Sequence, residues 1–172
     1  MATGREMQLT GRIGEYLVAA ELMKNGFFAT TFSGNVPDFD IVVISKDFKG
    51  IPIQVKTIRK GDWQFSDARK FIRISFSGGK QKVVGKAKTK DLIVVLVKLD
   101  QDGDDFYVLE WKNLQDAIYK GYKEYLDRKK GVKTKNPESY HCIIYPKDLI
   151  PYKAKGNWPL IEKKLKGKEG GK

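Results

Sequence analysis

Cysteine and histidine are almost missing from this sequence, with one of each, and no apolar run is longer than a strand. Cys142 alone cannot close an internal disulfide, and His141 beside it leaves a Cys/His zinc centre short of ligands. Such cysteine usage fits a reducing cytoplasm, the expected localisation. The longest apolar stretch, Leu92-Ile93-Val94-Val95-Leu96-Val97, falls far short of the roughly 20 residues that span a bilayer. The N-terminus has no apolar core of a signal peptide, so neither secretion nor membrane insertion is expected. Acidic residues are also scarce, 21 against 33 basic ones, for a net charge of +12. That imbalance draws polyanions, and favours a nucleic-acid or anionic-membrane partner.

What is present is enough apolar matter for a core: 41% of the 172 residues are hydrophobic and 12% aromatic. The length suggests one domain over residues 1–166, with 167–172 as a mobile basic and glycine-bearing tail. Residues from about Thr10 to Asn25 carry two apolar stripes. Leu9, Ile13, Tyr16, Leu17, Ala20 and Met23 form one, and Val18, Ala19 and Leu22, with Glu15 as the odd member, form the other. Together they predict a helix buried on more than one side and ended by Gly26. Strands are expected over Phe27–Phe32, Asp40–Ile44 and Ile51–Ile58, with Lys46–Gly50 as a hairpin turn. Asp91–Leu99 reads as a central buried strand and Phe106–Trp111 as its hairpin partner across Asp102-Gly103. Asn113 is placed to cap a helix to about Arg128. Lys129–Lys135 then reads as a basic linker, Tyr140–Tyr145 as a strand, and the chain after Trp158 as a lysine-rich tail. Between Arg59 and Asp91 the pattern blurs, and Ser77–Lys90 reads as a flexible basic loop.

Two motif imitations fail, one on residue type and one on spacing. Asp100–Asp104 opens like a calcium loop, but Asp105 and Trp111 occupy the required glycine and glutamate positions. Gly79–Ala87 imitates a phosphate loop, yet it is one residue too long and lacks the Ser/Thr that would hold magnesium. His141, set in an aromatic strand, reads as structural.

The chain is organised around Pro37-Asp38-Phe39-Asp40 and, one hairpin later, Ile53-Gln54-Val55-Lys56-Thr57. Asp40 stands where a loop hands over to the apolar strand Ile41–Ile44. Gln54 and Lys56 are two apart on the next strand, so they share one face while Ile53 and Val55 share the other. An acid, an amide oxygen and an amine are thereby expected to converge.

These residues resemble the PD-(D/E)xK nuclease superfamily, in a D…QxK form similar to Mrr-type and Holliday-junction-resolvase-like members, with Gln54 where most members carry an acid. Gly11-Arg12-Ile13-Gly14-Glu15 is similar to the family's first-helix glutamate motif. The resemblance covers about Gly11–Thr57. It implies a restriction-endonuclease-like α/β fold, a mixed central sheet flanked by helices. It implies a metal-dependent DNA endonuclease or resolvase-like phosphodiester hydrolase, with Mg2+ as cofactor and Mn2+ as the alternative ion. Glu15, Asp40, Gln54 and Lys56 are then the catalytic set. Asp40, Gln54, the Val55 carbonyl and Glu15 would be the metal ligands, and Asp38 a secondary candidate. Lys56 would orient the attacking water and, by its charge, keep the carboxylates ionised. Arg59, Lys60, Lys80, Lys82, Lys86 and Lys88 are the expected contacts to double-stranded or branched DNA, in a monomer or homodimer and without a membrane. The alternative is a catalytically silent nucleic-acid-binding module on the same fold, for which the neutral Gln54 leaves room.

Overall fold

A threonine starts the first helix. Thr3 Oγ1 accepts the backbone N–H of Glu6 while the Glu6 carboxylate accepts that of Thr3, a reciprocal cap that satisfies two donors otherwise orphaned at a helix start. Helix α1 therefore spans Gly4–Lys24, starting well before the point that periodicity alone predicts. Gly14, Val18, Ala19 and Leu22 are its buried residues, whereas Leu9, Ile13, Tyr16 and Met23 are exposed. The expectation of burial on more than one side is thus corrected to one buried face. The computed structural model describes residues 3–32, 38–46 and 48–167, so Pro37 of the Asp38 motif and residues 168–172 of the expected tail lie outside it.

The chain divides into two compact units, one of Met1–Gly61, Leu92–Glu110 and Tyr152–Lys172, the other of Asp62–Asp91 and Trp111–Pro151. In the first, β1 (Phe28–Thr31), β2 (Ile41–Ile44) and β3 (Gly50–Ile58) form an antiparallel meander. Strand β7 (Ile93–Lys98) pairs parallel to β3, and β8 (Asp105–Glu110) pairs antiparallel to β7. The sheet order β1-β2-β3-β7-β8 is mixed and puts β3 in the middle. Ile93 to Val97 are all buried, as a strand covered on both faces requires. Val18 and Leu22 of α1 join Ile41, Val43, Ile51, Ile53, Val95, Val97 and Val108 in one core. Ile161 and Leu165 complete it from α3 (Pro159–Gly167), so the stretch after Trp158 is an amphipathic helix as far as residue 167. Lysines at 163, 164 and 166 hide that helix in a reading by composition, because its buried stripe is only Ile161 and Leu165.

The second unit pairs β4 (Trp63–Phe65) with β9 (Cys142–Ile144), and β5 (Ile72–Ser77) with β6 (Lys80–Lys86). The expected flexible loop at 77–90 is therefore corrected to a hairpin as far as Lys86. Gly78 and Gly79 turn it with φ of 56° and 71°, a region glycine enters without steric cost. Helix α2 (Trp111–Arg128) begins at Trp111, so Asn113 lies inside the helix rather than capping it. The stacked rings of Phe71 and Trp111, 4.6 Å apart, fix this start, a tertiary interaction that overrides the local capping preference. Gln115, fully buried, donates to the carbonyls of Phe71 at 2.7 Å and Ala87 at 2.8 Å. The Tyr122 hydroxyl donates to Gln81 Oε1 at 2.6 Å, and the Gln81 amide donates to the Ser139 carbonyl at 3.1 Å. Lys133 is a further correction to the linker expectation: it is buried, with its ammonium donating to the His141 carbonyl and lying 4.7 Å from the Tyr122 ring. No helix among the described residues is long and apolar enough to cross a membrane.

Candidate active site

Strand β2 ends its pairing with β3 at Ile41 opposite Ile53, so β3 runs on without it. Asp40 fills that position. Its backbone N–H donates to the Ile53 carbonyl at 2.9 Å, and its Oδ2 accepts the Val55 N–H at 2.7 Å. The carboxylate thus replaces the next rung of the ladder. In an extended strand the N–H and C=O of one residue point to the same lateral side, so the Val55 carbonyl faces the Asp40 side too. The oxygen-bearing groups expected from Asp40 and Val55 are thereby placed together.

Helix α1 reaches the same region because of Gly14. A Cβ there would lie 1.8 Å from Thr57 Oγ1, so only glycine lets the helix rest on the Thr57 side chain of β3. The next residue is Glu15. Its Oε2 accepts from Arg12 Nη1 at 2.7 Å, and the same Arg12 nitrogen donates to the Phe32 carbonyl at 2.9 Å. Phe32 packs edge-on against Phe39 with ring centroids 5.5 Å apart, which pins the residue before Asp40. Arg12 is the residue that sequence reading passed over. The signal was there, an opposite charge three residues before Glu15 on one helix.

Charge gathers at Asp40. Burial pushes its carboxyl above the ordinary range, against the Val55 N–H and the nearby charges of Arg12 and Lys56, which all pull it down. Burial likewise pushes Glu15 up, and the charge of Asp40 adds to that, against Arg12. The expected pull of Lys56 on the carboxylates acts on Asp40, where desolvation outweighs it, while the cation that lowers Glu15 is Arg12. Glu15, Asp40 and Lys56 therefore lie within electrostatic reach of one centre, Asp40. They approach it differently: α1 packs on the Thr57 face of β3, while alternation sends Lys56 and Gln54 to the other face. Asp38 is exposed with φ of 75°, the backbone of a turn residue.

The oxygens placed around Asp40 are two partly buried carboxylates and a backbone carbonyl, all hard donors; the Gln54 amide oxygen expected with them lies on the other face of β3 from α1. That chemistry suits a hard divalent cation, and two carboxylates whose charge is penalised by burial gain from one. The residues fit magnesium on those grounds, with each carboxylate keeping one oxygen beyond its Val55 or Arg12 partner. Among the described residues no group of three His, Cys, Asp or Glu side chains gathers as a metal cage, so the site is poorer in charge than a dedicated one.

The remaining candidates are distributed over both units. Arg59 Nε donates to Thr10 Oγ1 at 3.1 Å, and Lys60 is exposed beside it in sequence. In the second unit Lys80, Lys82 and Lys88 are exposed, while Lys86 is held by Asp116 at 2.5 Å. His141 Nε2 lies 3.2 Å from Gln64 Oε1, tying the residue before β9 to β4.

No family model matches the sequence and no curated protein does. Among solved structures, the chain is similar to a bacterial homing endonuclease, I-Ssp6803I, at 14% identity and a TM-score of 0.53, over 95% of this chain and 98% of that one. The likeness is one of fold: a mixed α/β sheet flanked by helices, shared with that endonuclease.

Proposed function

We propose that this chain is a DNA endonuclease of the PD-(D/E)xK superfamily, hydrolysing phosphodiester bonds with Mg2+ or Mn2+. The observation that carries the reading is Asp40, fixed by the Val55 N–H and lying in the combined field of Arg12, Glu15 and Lys56. Hydrolysis adds water across one P–O bond of an anionic backbone. It needs positive charge at the phosphate and a water held in line. The cation, when bound, supplies Lewis acidity and lowers the pKa of water. Asp40, Glu15 and the Val55 carbonyl would hold it, with the Gln54 side-chain oxygen reaching the same edge of β3 from the Lys56 face. Lys56 orients the water and offsets charge that builds on the phosphate oxygens. Arg12 holds the Glu15 carboxylate in place. Gln54 adds an oxygen without a charge, so metal affinity depends on the phosphate arriving.

The test is nicking of supercoiled plasmid by purified protein with Mg2+, with Mn2+ and with a chelator, alongside Lys56→Ala and Asp40→Ala. Cleavage that needs the ion and both side chains supports the reading. The shortage of charged ligands favours one other reading, a silent DNA-binding module, whose mark is binding by every variant and cleavage by none.

A further inference from the structure

The β5–β6 hairpin sorts its side chains by face. Ile72 and Val83 are buried and Ile74 half-buried on one side, with Gln81 anchored to Tyr122 and Ser139. The opposite side carries Arg73, Ser75, Ser77, Lys80, Lys82 and Val84, all exposed, Val84 at 52%. Ser75 pairs with Lys82 and Ser77 with Lys80 across the ladder. Between Arg73 and Ile74 the register shifts by a bulge, and Val84 is the extra residue. Arg73 lies over Gly85, where a Cβ would come within 2.6 Å of Nη2, so the guanidinium rests on the ribbon face itself. No acidic residue occurs from Ala68 to Lys90.

We infer that this ribbon face reads base edges in the major groove of duplex DNA. The inference rests on the DNA-endonuclease reading and deepens it, from a protein that cuts DNA to one that chooses where. The chemistry differs from a plain phosphate grip. Backbone binding asks only for cations, whereas this face mixes a planar guanidinium, hydroxyls, ammonium groups and one exposed aliphatic side chain. Those are the groups that match the major-groove pattern: Arg to guanine O6 and N7, Ser to donors or acceptors, Val to the thymine methyl. A two-stranded ribbon fits a groove about 12 Å wide. At about 3.3 Å per residue the six residues of β5 extend for roughly 20 Å, enough to follow several base pairs. The face is purely basic where charged, complementary to the duplex, and its strands are braced from behind by α2 through Gln115 and Tyr122.

The test uses full-length protein carrying Lys56→Ala, so that bound DNA is not cut, and a library of random DNA duplexes. Repeated selection followed by sequencing is expected to return a preferred motif. Adding Arg73→Lys keeps the charge but removes the planar fork. It is expected to weaken discrimination at one or two adjacent positions by about tenfold or more, with the logarithmic salt dependence of binding unchanged. Val84→Ala should relax a neighbouring preference for thymine by a smaller factor. A flat profile from the parent protein overturns the inference, as does an unaltered profile with Arg73→Lys, or a preference for duplex RNA, whose major groove is too narrow to read. The two readings fail separately. Cleavage without any preferred motif sinks the ribbon and leaves the nuclease; a ribbon-dependent motif with no cleavage by the unmodified protein does the reverse.

Discussion

The Val55 N–H donates to Asp40 Oδ2 at 2.7 Å, in place of the backbone carbonyl that a continuing strand β2 would have offered. A side chain thus closes a ladder. Asp40 takes the part of a strand residue, and its Oδ1 is the oxygen that the proposed cation would meet. The arrangement explains why the acid must come directly before β2. Two residues earlier it would sit on the turn where Asp38 is.

Asp40→Asn keeps an oxygen acceptor for Val55 and removes the charge. It should abolish ion-dependent nicking, by about a hundredfold or more if Asp40 is a direct ligand, while leaving DNA affinity nearly intact. Circular dichroism should show an unchanged fold. Nicking at the parental rate would remove Asp40 from the site.

The raised carboxyls of Asp40 and Glu15 also set a pH dependence. Each binds its proton more tightly folded than unfolded. Between the ordinary carboxylate value and the raised one, the folded state holds more protons, so stability falls as pH rises through that window and levels off above it. Thermal melts of metal-free protein should therefore show a decline in Tm from acid toward neutral pH that is smaller in Asp40→Asn. Magnesium should restore Tm at neutral pH by binding the folded state. A Tm difference between the parent and Asp40→Asn that stays constant across the window would contradict the burial of Asp40.

Much of this was written in the sequence, and the parts that were not have a common cause. The strands β2 and β3 follow from the apolar run that starts at Ile41, from the alternation after Gly50 and from the turn before it, all local. Asp40, Gln54 and Lys56 could be picked out because their spacing alone fixes their relation to those strands. The β5–β6 ribbon was missed because its apolar face, Ile72, Ile74, Phe76 and Val83, is interrupted by Gln81, which takes a core position that pattern reading assigns to solvent. The buried Gln81 is intelligible only with Tyr122 in view, 41 residues away. Helix α3 and the start of α2 were likewise decided by partners distant in sequence, Ile161 against the core and Trp111 against Phe71. Arg12 lacked a role until Phe32 was placed beside it.

Gly14 and Thr57 give a test of how α1 is set. Gly14→Ala introduces an atom 1.8 Å from Thr57 Oγ1 and 2.8 Å from Thr57 Cβ, so the helix must move. A loss of about 1–3 kcal/mol is expected from such overpacking, together with reduced nicking, because Glu15 moves with the helix. Thr57 Oγ1 is itself buried without a hydrogen-bond partner. Thr57→Val, of similar shape, should therefore raise stability by about 1 kcal/mol. Denaturant midpoints separate the two outcomes. A neutral Gly14→Ala would mean that the helix does not rest on Thr57.

Gln54→Glu tests the proposed ligand that departs from the pattern of the family the motif resembles. It adds a charge to a set that has only two carboxylates, and should tighten Mg2+ binding by about tenfold, since affinity at such sites follows ligand charge. Calorimetry without DNA reads this directly. Unchanged affinity would take Gln54 out of the ligand set and leave Lys56 as the functional residue of that strand face.

Salt dependence tests the basic residues expected to meet DNA. Lys80, Lys82 and Lys88 are exposed, whereas Lys86 is engaged by Asp116 and lies 5.7 Å from the Tyr119 ring. If the first three meet phosphates, replacing each with glutamine should lower the slope of log affinity against log salt by about 0.9 for every phosphate that is no longer neutralised. Replacing Lys86 should change it less, because that ammonium already has an anion and would have to leave it. Affinities measured from low to physiological salt, on one duplex, decide between these outcomes. A slope unmoved by the triple substitution places these lysines away from DNA, and a Lys86 effect as large as the others would mean that the Asp116 pair opens on binding.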